Sequence, residues 1–465
     1  MEQSKLVELV ESLEKKEKTA CRKFLQSPYF NHREDVYQLF NWVIQHKNRK
    51  KEQAFQHLFP GSPYDEQEIS LVMSYLLKLI EQFLAVQEQL NNPIDHQFHL
   101  LKSYQRRNLP KHFQQTLSGI QKQLDKSKYR DKIYYEHFRD FHWAAYLNDA
   151  PNRIENYQRL ETVSEMTDIA YFSQKLRQIC LLTAHQSVYS VDDNLIEQMN
   201  QTFFPYLEQR RLTDIPAIGI YYHGYFVLQD KVGLDHFQAF KNLLFSQGHL
   251  FRFADLKELY VIAINYCVKQ VNKGDQSFFR EMLSLYQEGL SSKVLIERGR
   301  LSHFVYHNAV AAALQTEEFT WAETFIFQYR KLLDQKYRES AFRFNQARLA
   351  FAQYNYDEAL TLLNSTHFQD VLLNLGAKTI MLKIFYLLQE FDLLDAHLNA
   401  MNNFIRRNRV IGYHKTNYLN IIRYTKKLLA LNFFDKKEVS KFQHAIAAET
   451  VLTEKDWLLQ QASEK

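Results

Sequence analysis

Apolar residues recur every three or four positions along most of the chain. Val36, Leu39, Phe40 and Val43 form one such set, and Ile69, Val72, Leu76 and Leu79 another. A period near 3.6 places these residues on one helical face. No run alternates apolar and polar residues between turn signals, so no strand is expected. The pattern predicts twenty or so helices in series. It breaks only briefly, near Pro60-Gly61-Ser62, Asn91-Asn92-Pro93, Asn148–Pro151 and Ser190–Asp193.

One short stretch occurs twice. SPYFNHRE runs from Ser27 to Glu34, and SPYDEQE from Ser62 to Glu68. Asn31 precedes Glu34 by three positions, as Asp65 precedes Glu68, which suits an Asx N-cap with an acid at N3. Pro28 and Pro63 stop the preceding segments. Both copies therefore read as helix starts, with recognition by Tyr29 and Tyr64 as the alternative.

A longer repeat lies in the last third of the chain. EEFTWAETF (Glu317–Phe325), YNYDEALTL (Tyr354–Leu362) and QEFDLLDAH (Gln389–His397) each carry an aromatic: Phe319, Tyr356 and Phe391. Each follows an apolar helical run: Val305–Leu314, Ala347–Phe351 and Ile380–Leu388. A helix–turn–helix period of this size marks a solenoid. FNQARLAFAQYNYDEALTLL (Phe344–Leu363) resembles a tetratricopeptide repeat. Ala347 stands at the small position of the first helix, with Tyr356 and Ala359 at the aromatic and small positions of the second. Phe319 and Ala322 repeat the arrangement one unit earlier. Arg343, Gln346 and Val371 depart from the family pattern. The resemblance covers about Ser302–Arg406. It implies an all-α fold, an α-solenoid forming a right-handed superhelix of stacked hairpins, whose concave face holds a protein or peptide. Three regions are expected: residues 1–92 and 93–190 as helical segments, and 191–465 as the repeat region.

Composition agrees with long regular elements. Gly numbers 11 and Pro 8 in 465 residues, too few for frequent breaks. Cys21, Cys180 and Cys267 are far apart and odd in number, which suits a reducing compartment and argues against a disulfide framework. The charged start, MEQSKLVELVESLEKKEK, lacks an apolar signal core. Leu259–Val268, the most apolar run read from the sequence, is too short to span a bilayer. A cytoplasmic protein without membrane insertion is expected.

The motifs that would announce chemistry are missing: GxGxxG, GK[ST], GxSxG and HExxH. His303 and His307 share a helix face, and His96 and His99 are three apart with Asp95 beside them, but neither pair has a third ligand placed by spacing. Asp192–Asp193, Glu317–Glu318 and Glu8–Glu11 read as surface charge or caps. No catalytic, cofactor or metal residue is assigned, and a non-catalytic chain is expected.

Charge is unevenly spread. The chain holds 58 Lys and Arg against 53 Asp and Glu. No acid lies between Asp395 and Asp435, a stretch with Arg406, Arg407, Arg409, Lys415, Arg423, Lys426 and Lys427. Outside it the balance is 51 to 53. Phe404, Tyr413, Tyr418 and Tyr424 interleave the basic residues. The segment reads as a solvated helix face, as a dock for an acidic protein, or as a nucleic-acid surface using phosphate contacts and base stacking. A second basic run, His46–Lys51, reads as an exposed connector. The functional expectation is a non-catalytic interaction scaffold binding a protein or peptide on its concave face, with nucleic-acid or acidic-partner binding through Arg406–Lys427 as the alternative.

Overall fold

The structure, a computed structural model, describes residues 1, 3–46, 48–148, 153–186, 203–229, 234–366, 368, 370–408 and 412–463. The breaks expected at 149–151 and 190–193, and residue Arg409, lie outside them. The described chain is all-α apart from one four-residue hairpin. It divides into two compact units, Met1–Tyr171 and Phe172–Lys465.

The first unit contains α1 (Lys5–Ser12), α2 (Lys15–Gln26), α3 (Glu34–Gln45), α4 (Lys51–Leu58), α5 (Glu66–Asn91), α6 (Pro93–Arg106), α7 (Pro110–Lys126), α8 (Lys132–Asn148) and the first part of α9 (Arg153–Gln186). Helix starts are fixed by side chains that accept orphan backbone N–H groups. Ser4 caps α1, Asp65 caps α5 through the N–H groups of Gln67 and Glu68, and Asn92 caps α6 with Pro93 in its first turn. Val36, Leu39, Phe40 and Val43 of α3 meet Ile69, Val72, Leu76 and Ile80 of α5 in one core. By length and composition α5 is apolar enough to cross a membrane. One of its faces builds this core. At membrane scale it is the more apolar candidate than Leu259–Val268.

The two SPY stretches differ. The second behaves as its pattern predicts, with Asp65 as N-cap. In the first, α3 starts at Glu34 and Arg33 stands at the cap position, where its side chain accepts from no backbone N–H of the helix. Asn31 instead ties the loop. Its Nδ2 donates to Leu25 O and Arg33 O, and its Oδ1 accepts from Arg33 N. Arg33 pairs with Asp35, which bonds the N–H of Val36. The basic connector is exposed at His46, Asn48 and Lys50, while Arg49 is tucked in, donating to Val43 O and pairing with Glu11.

The second unit continues from α9 into a helical segment α10 (203–209), α11 (Pro216–Gln229), α12 (Leu234–Gln247), α13 (Phe253–Asn272) and α14 (Phe278–Ser291). Then come β1 (Ile296–Glu297) and β2 (Arg300–Leu301), an antiparallel pair absent from the sequence expectation. Their turn residues Arg298 and Gly299 both have positive φ, the combination a tight two-residue hairpin needs. Two residues per strand are too few to show periodicity. Nine further helices follow among the described residues: α15 (His303–Gln315), α16 (Phe319–Tyr329), α17 (Gln335–Ala352), α18 (Tyr356–Asn364), α19 (Val371–Leu387), α20 (Phe391–Arg407), α21 (Gly412–Leu429), α22 (Lys436–Ala448) and α23 (Lys455–Ser463).

The three aromatics of the repeat, Phe319, Tyr356 and Phe391, are the first residues of α16, α18 and α20. Each follows the same turn. Glu317, Tyr354 and Gln389 have φ of 59°, 63° and 60°. The next N–H reaches back to a carbonyl in the last turn of the preceding helix: Glu318 to Ala313, Asn355 to Ala350 and Glu390 to Phe385. This left-handed closure normally favours glycine; here three non-glycine residues adopt it. Each first helix packs on its own partner and on the first helix of the next hairpin, as in α15 on α16 and α17, and α17 on α18 and α19. The close crossings are made by buried alanines: Ala309, Ala313, Ala322, Ala347, Ala359 and Ala377. Tyr306, also buried, donates its hydroxyl to Ile326 O across the α15–α16 hairpin at 2.7 Å.

Candidate functional site

The basic segment occupies the end of α20 and the length of α21. Arg406, Arg407, Lys415, Arg423, Lys426 and Lys427 are all exposed, while Ile421, Ile422, Tyr424 and Leu428 are buried on the opposite face. The helix is amphipathic as its pattern predicts. Acids from elsewhere in the sequence reach it. Arg423 Nη2 lies 2.6 Å from Glu449, and Lys426 donates to Asn399 Oδ1 at 2.9 Å with Asp395 3.9 Å away. Arg423 and Lys427 both lie over the Tyr424 ring. Of the four interleaved aromatics only Tyr413 is exposed. Tyr424 is buried and donates to Ala445 O, burial pushes Tyr418 up to about 12, and Phe404 lies under Lys378.

A cleft of about 440 Å³ lies between α9, α11 and α13, lined by Leu181, Tyr221, Phe253, Val261 and Ile262. Its charges are matched internally. Arg177 holds Glu258 through Nε (2.9 Å) and Nη2 (2.6 Å) and Asp255 through Nη1 (2.9 Å). Lys257 pairs with Glu297 at 2.6 Å. Cys180, at its wall, is held as a thiol by burial and donates to Tyr221 O.

The third candidate was not singled out by sequence. Arg348, on α17, follows the buried Ala347 at the α17–α18 crossing. Its Nη1 donates to His307 O at 2.9 Å and to Asn345 Oδ1 at 3.2 Å. Asn345 is fully buried, and its Nδ2 donates to Ala341 O and His307 Nδ1, both at 2.9 Å. This network fixes the orientation of the Asn345 amide and places the neutral imidazole proton on Nε2. Burial lowers His307 to about 4. His303 lies beside it on the same face, with ring centroids 6.3 Å apart, and also stacks on Tyr337. Asp95, beside His96 and His99, bonds His137 at 2.8 Å.

No carboxylate lies within ion-pair distance of Arg348 among the described residues. Burial pulls it down to about 10, with Glu454 opposing at longer range. Arg33 and Arg177, which hold carboxylates, are pushed up. The Arg348 side chain is only partly covered.

Glu454 reaches this region from the C-terminal end of the unit. The N–H of Thr453 donates to Asn417 Oδ1 at 2.8 Å, Asn417 Nδ2 donates to Thr453 Oγ1, and Asn420 Nδ2 donates to Val451 O at 2.9 Å. These bonds strap residues 451–453 onto α21 and deliver Glu454 to Lys383 of α19. No group of His, Cys, Asp and Glu suited to a metal occurs among the described residues. No protein-family model matches the chain, and neither curated proteins nor solved structures yield a match.

Proposed function

We propose that the chain is a non-catalytic interaction scaffold whose second unit is a tetratricopeptide-like solenoid, binding a peptide or extended protein segment along the first helices of its hairpins. The recurrent left-handed turn before α16, α18 and α20 supports this reading most directly. Identical closures at near-constant spacing stack α15, α17 and α19 side by side, and such stacks commonly form peptide-binding surfaces. The polar cluster on α15 and α17 gives that surface something to recognise with. The basic segment is the weaker alternative as a nucleic-acid surface. Arg423 has a carboxylate partner, Lys426 has an amide and a nearby acid, and only one interleaved aromatic is open for stacking.

The test is selection of binders to the full chain from a displayed random-peptide library, followed by hydrogen exchange with a selected peptide. Slowed exchange in α15, α17 and α19 is expected. Protection confined to α16, α18 and α20, or the absence of any selected binder, overturns the reading.

A further inference from the structure

We infer that the cleft between α9, α11 and α13 is a binding site for an uncharged, mostly apolar small molecule that accepts a hydrogen bond from the Tyr221 hydroxyl. The site lies outside the repeat hairpins and stands independently of the scaffold reading.

A concave space of about 440 Å³ falls within the range of small-molecule sites. Leu181, Phe253 and Val261 line it and remain 44%, 48% and 44% exposed, so its apolar wall faces water. Covering that wall is favourable in proportion to the area removed from water.

The charged groups of the cleft favour an uncharged occupant. Arg177 directs Nε and Nη2 at Glu258 and Nη1 at Asp255, and Lys257 holds Glu297. An ion entering the cleft would give up its hydration and then compete with pairs already made. An apolar molecule meets no such cost.

Tyr221 supplies the directional group. It lines the cleft and is only 3% exposed. Its carbonyl accepts from Cys180, but its hydroxyl meets no hydrogen-bond partner among the described residues. Arg177 and Glu258, which line the same cleft, act on that hydroxyl electrostatically, which places it at the charged end. Burial holds it protonated, so it stays a donor. Buried tyrosine hydroxyls normally find a partner. Here the missing partner is an oxygen that the ligand brings.

The experiment titrates the full chain with three fluorescent probes. Prodan is an uncharged naphthyl ketone, phenylnaphthylamine is uncharged but lacks the carbonyl, and ANS is a naphthyl sulfonate. Prodan is expected to bind at a single saturable site with its emission shifted to the blue, and ANS more weakly. Tyr221→Phe should weaken prodan about fivefold, the worth of one neutral hydrogen bond, and leave phenylnaphthylamine unchanged. Ala254→Trp and Val261→Trp, at exposed lining positions on α13, should fill the cleft and abolish binding of both. Phe434→Ser, at an aromatic 97% exposed outside the cleft, should change nothing. Melting curves confirm that each variant is folded. Prodan binding that survives both filling variants, or that Phe434→Ser removes, overturns the inference. So does ANS binding as tight as that of prodan, or equal prodan affinity in folded Tyr221→Phe. Absence of prodan binding overturns it as well and leaves the scaffold reading standing.

Discussion

Two basic regions of the second unit differ in almost every respect except sign. The stretch from Arg406 to Lys427 is conspicuous in the sequence, yet its described cations are exposed and reach carboxylates, an amide, an aromatic ring or solvent. Arg348 is a single arginine inside an apolar run, yet no described carboxylate pairs with it and it is only partly exposed. Counting charge along the chain finds the first and misses the second. What matters energetically is the partner each charge meets in space, and desolvation makes one buried cation weigh more than several surface ones.

The sharpest break of that comparison uses one residue type in both places. Asn345 holds Arg348 and His307 from a fully buried position, whereas Asn399 holds Lys426 from the surface. Asn345→Leu is expected to cost about 2–3 kcal/mol, since it strands buried polar groups. Asn399→Ala should cost less than about 0.5 kcal/mol. Urea unfolding of both variants measures the gap, and equal costs would erase the distinction.

Acid should act on the buried cluster next. His307 has a folded pKa near 4, below the ordinary value of 6.5. The unfolded chain therefore binds a proton first as pH falls. The stability from neutral His307 is fully present above about 6.5 and is lost as pH drops towards 4. Arg348 and His303 oppose its protonation, as does the Asn345 amide that donates to Nδ1, while Asp370 favours it. The loss should be of order 2–3 kcal/mol. His223 is lowered in the same way, so the check is the difference between wild type and His307→Gln across pH 7 to 4. The variant should lose less, and parallel curves would contradict the assignment.

The exposed pair comes last. Arg423→Gln should lower stability by about 0.5 kcal/mol at low salt and by nothing measurable near 1 M, because the Arg423 side chain is 50% exposed. Glu at Arg406, Arg407 and Lys415 together should leave the melting temperature within experimental error. Single-stranded RNA binding that falls steeply with salt and vanishes in that triple variant would reverse the ranking of the two regions.

Much of the fold was legible because helical periodicity is a local signal. Phe319, Tyr356 and Phe391 marked three helix starts to the residue. Asn31 misled because its side chain had a better use, bridging two carbonyls across a loop, and no spacing rule encodes that competition. The turns at Glu317, Tyr354 and Gln389 were hidden because none is glycine. Arg348 was hidden for a different reason. Its isolation depends on which acids fail to arrive, and Glu454 stops at Lys383. The one local signal was an arginine beside Ala347, at a crossing too close to bury a long side chain wholly.

The strap on α21 also imposes an order of events during synthesis. Thr453 reaches Asn417 from 36 positions downstream, so α21 leaves the ribosome well before the bonds that cover it can form. In that interval Lys383 lacks the carboxylate that Glu454 brings in the finished fold.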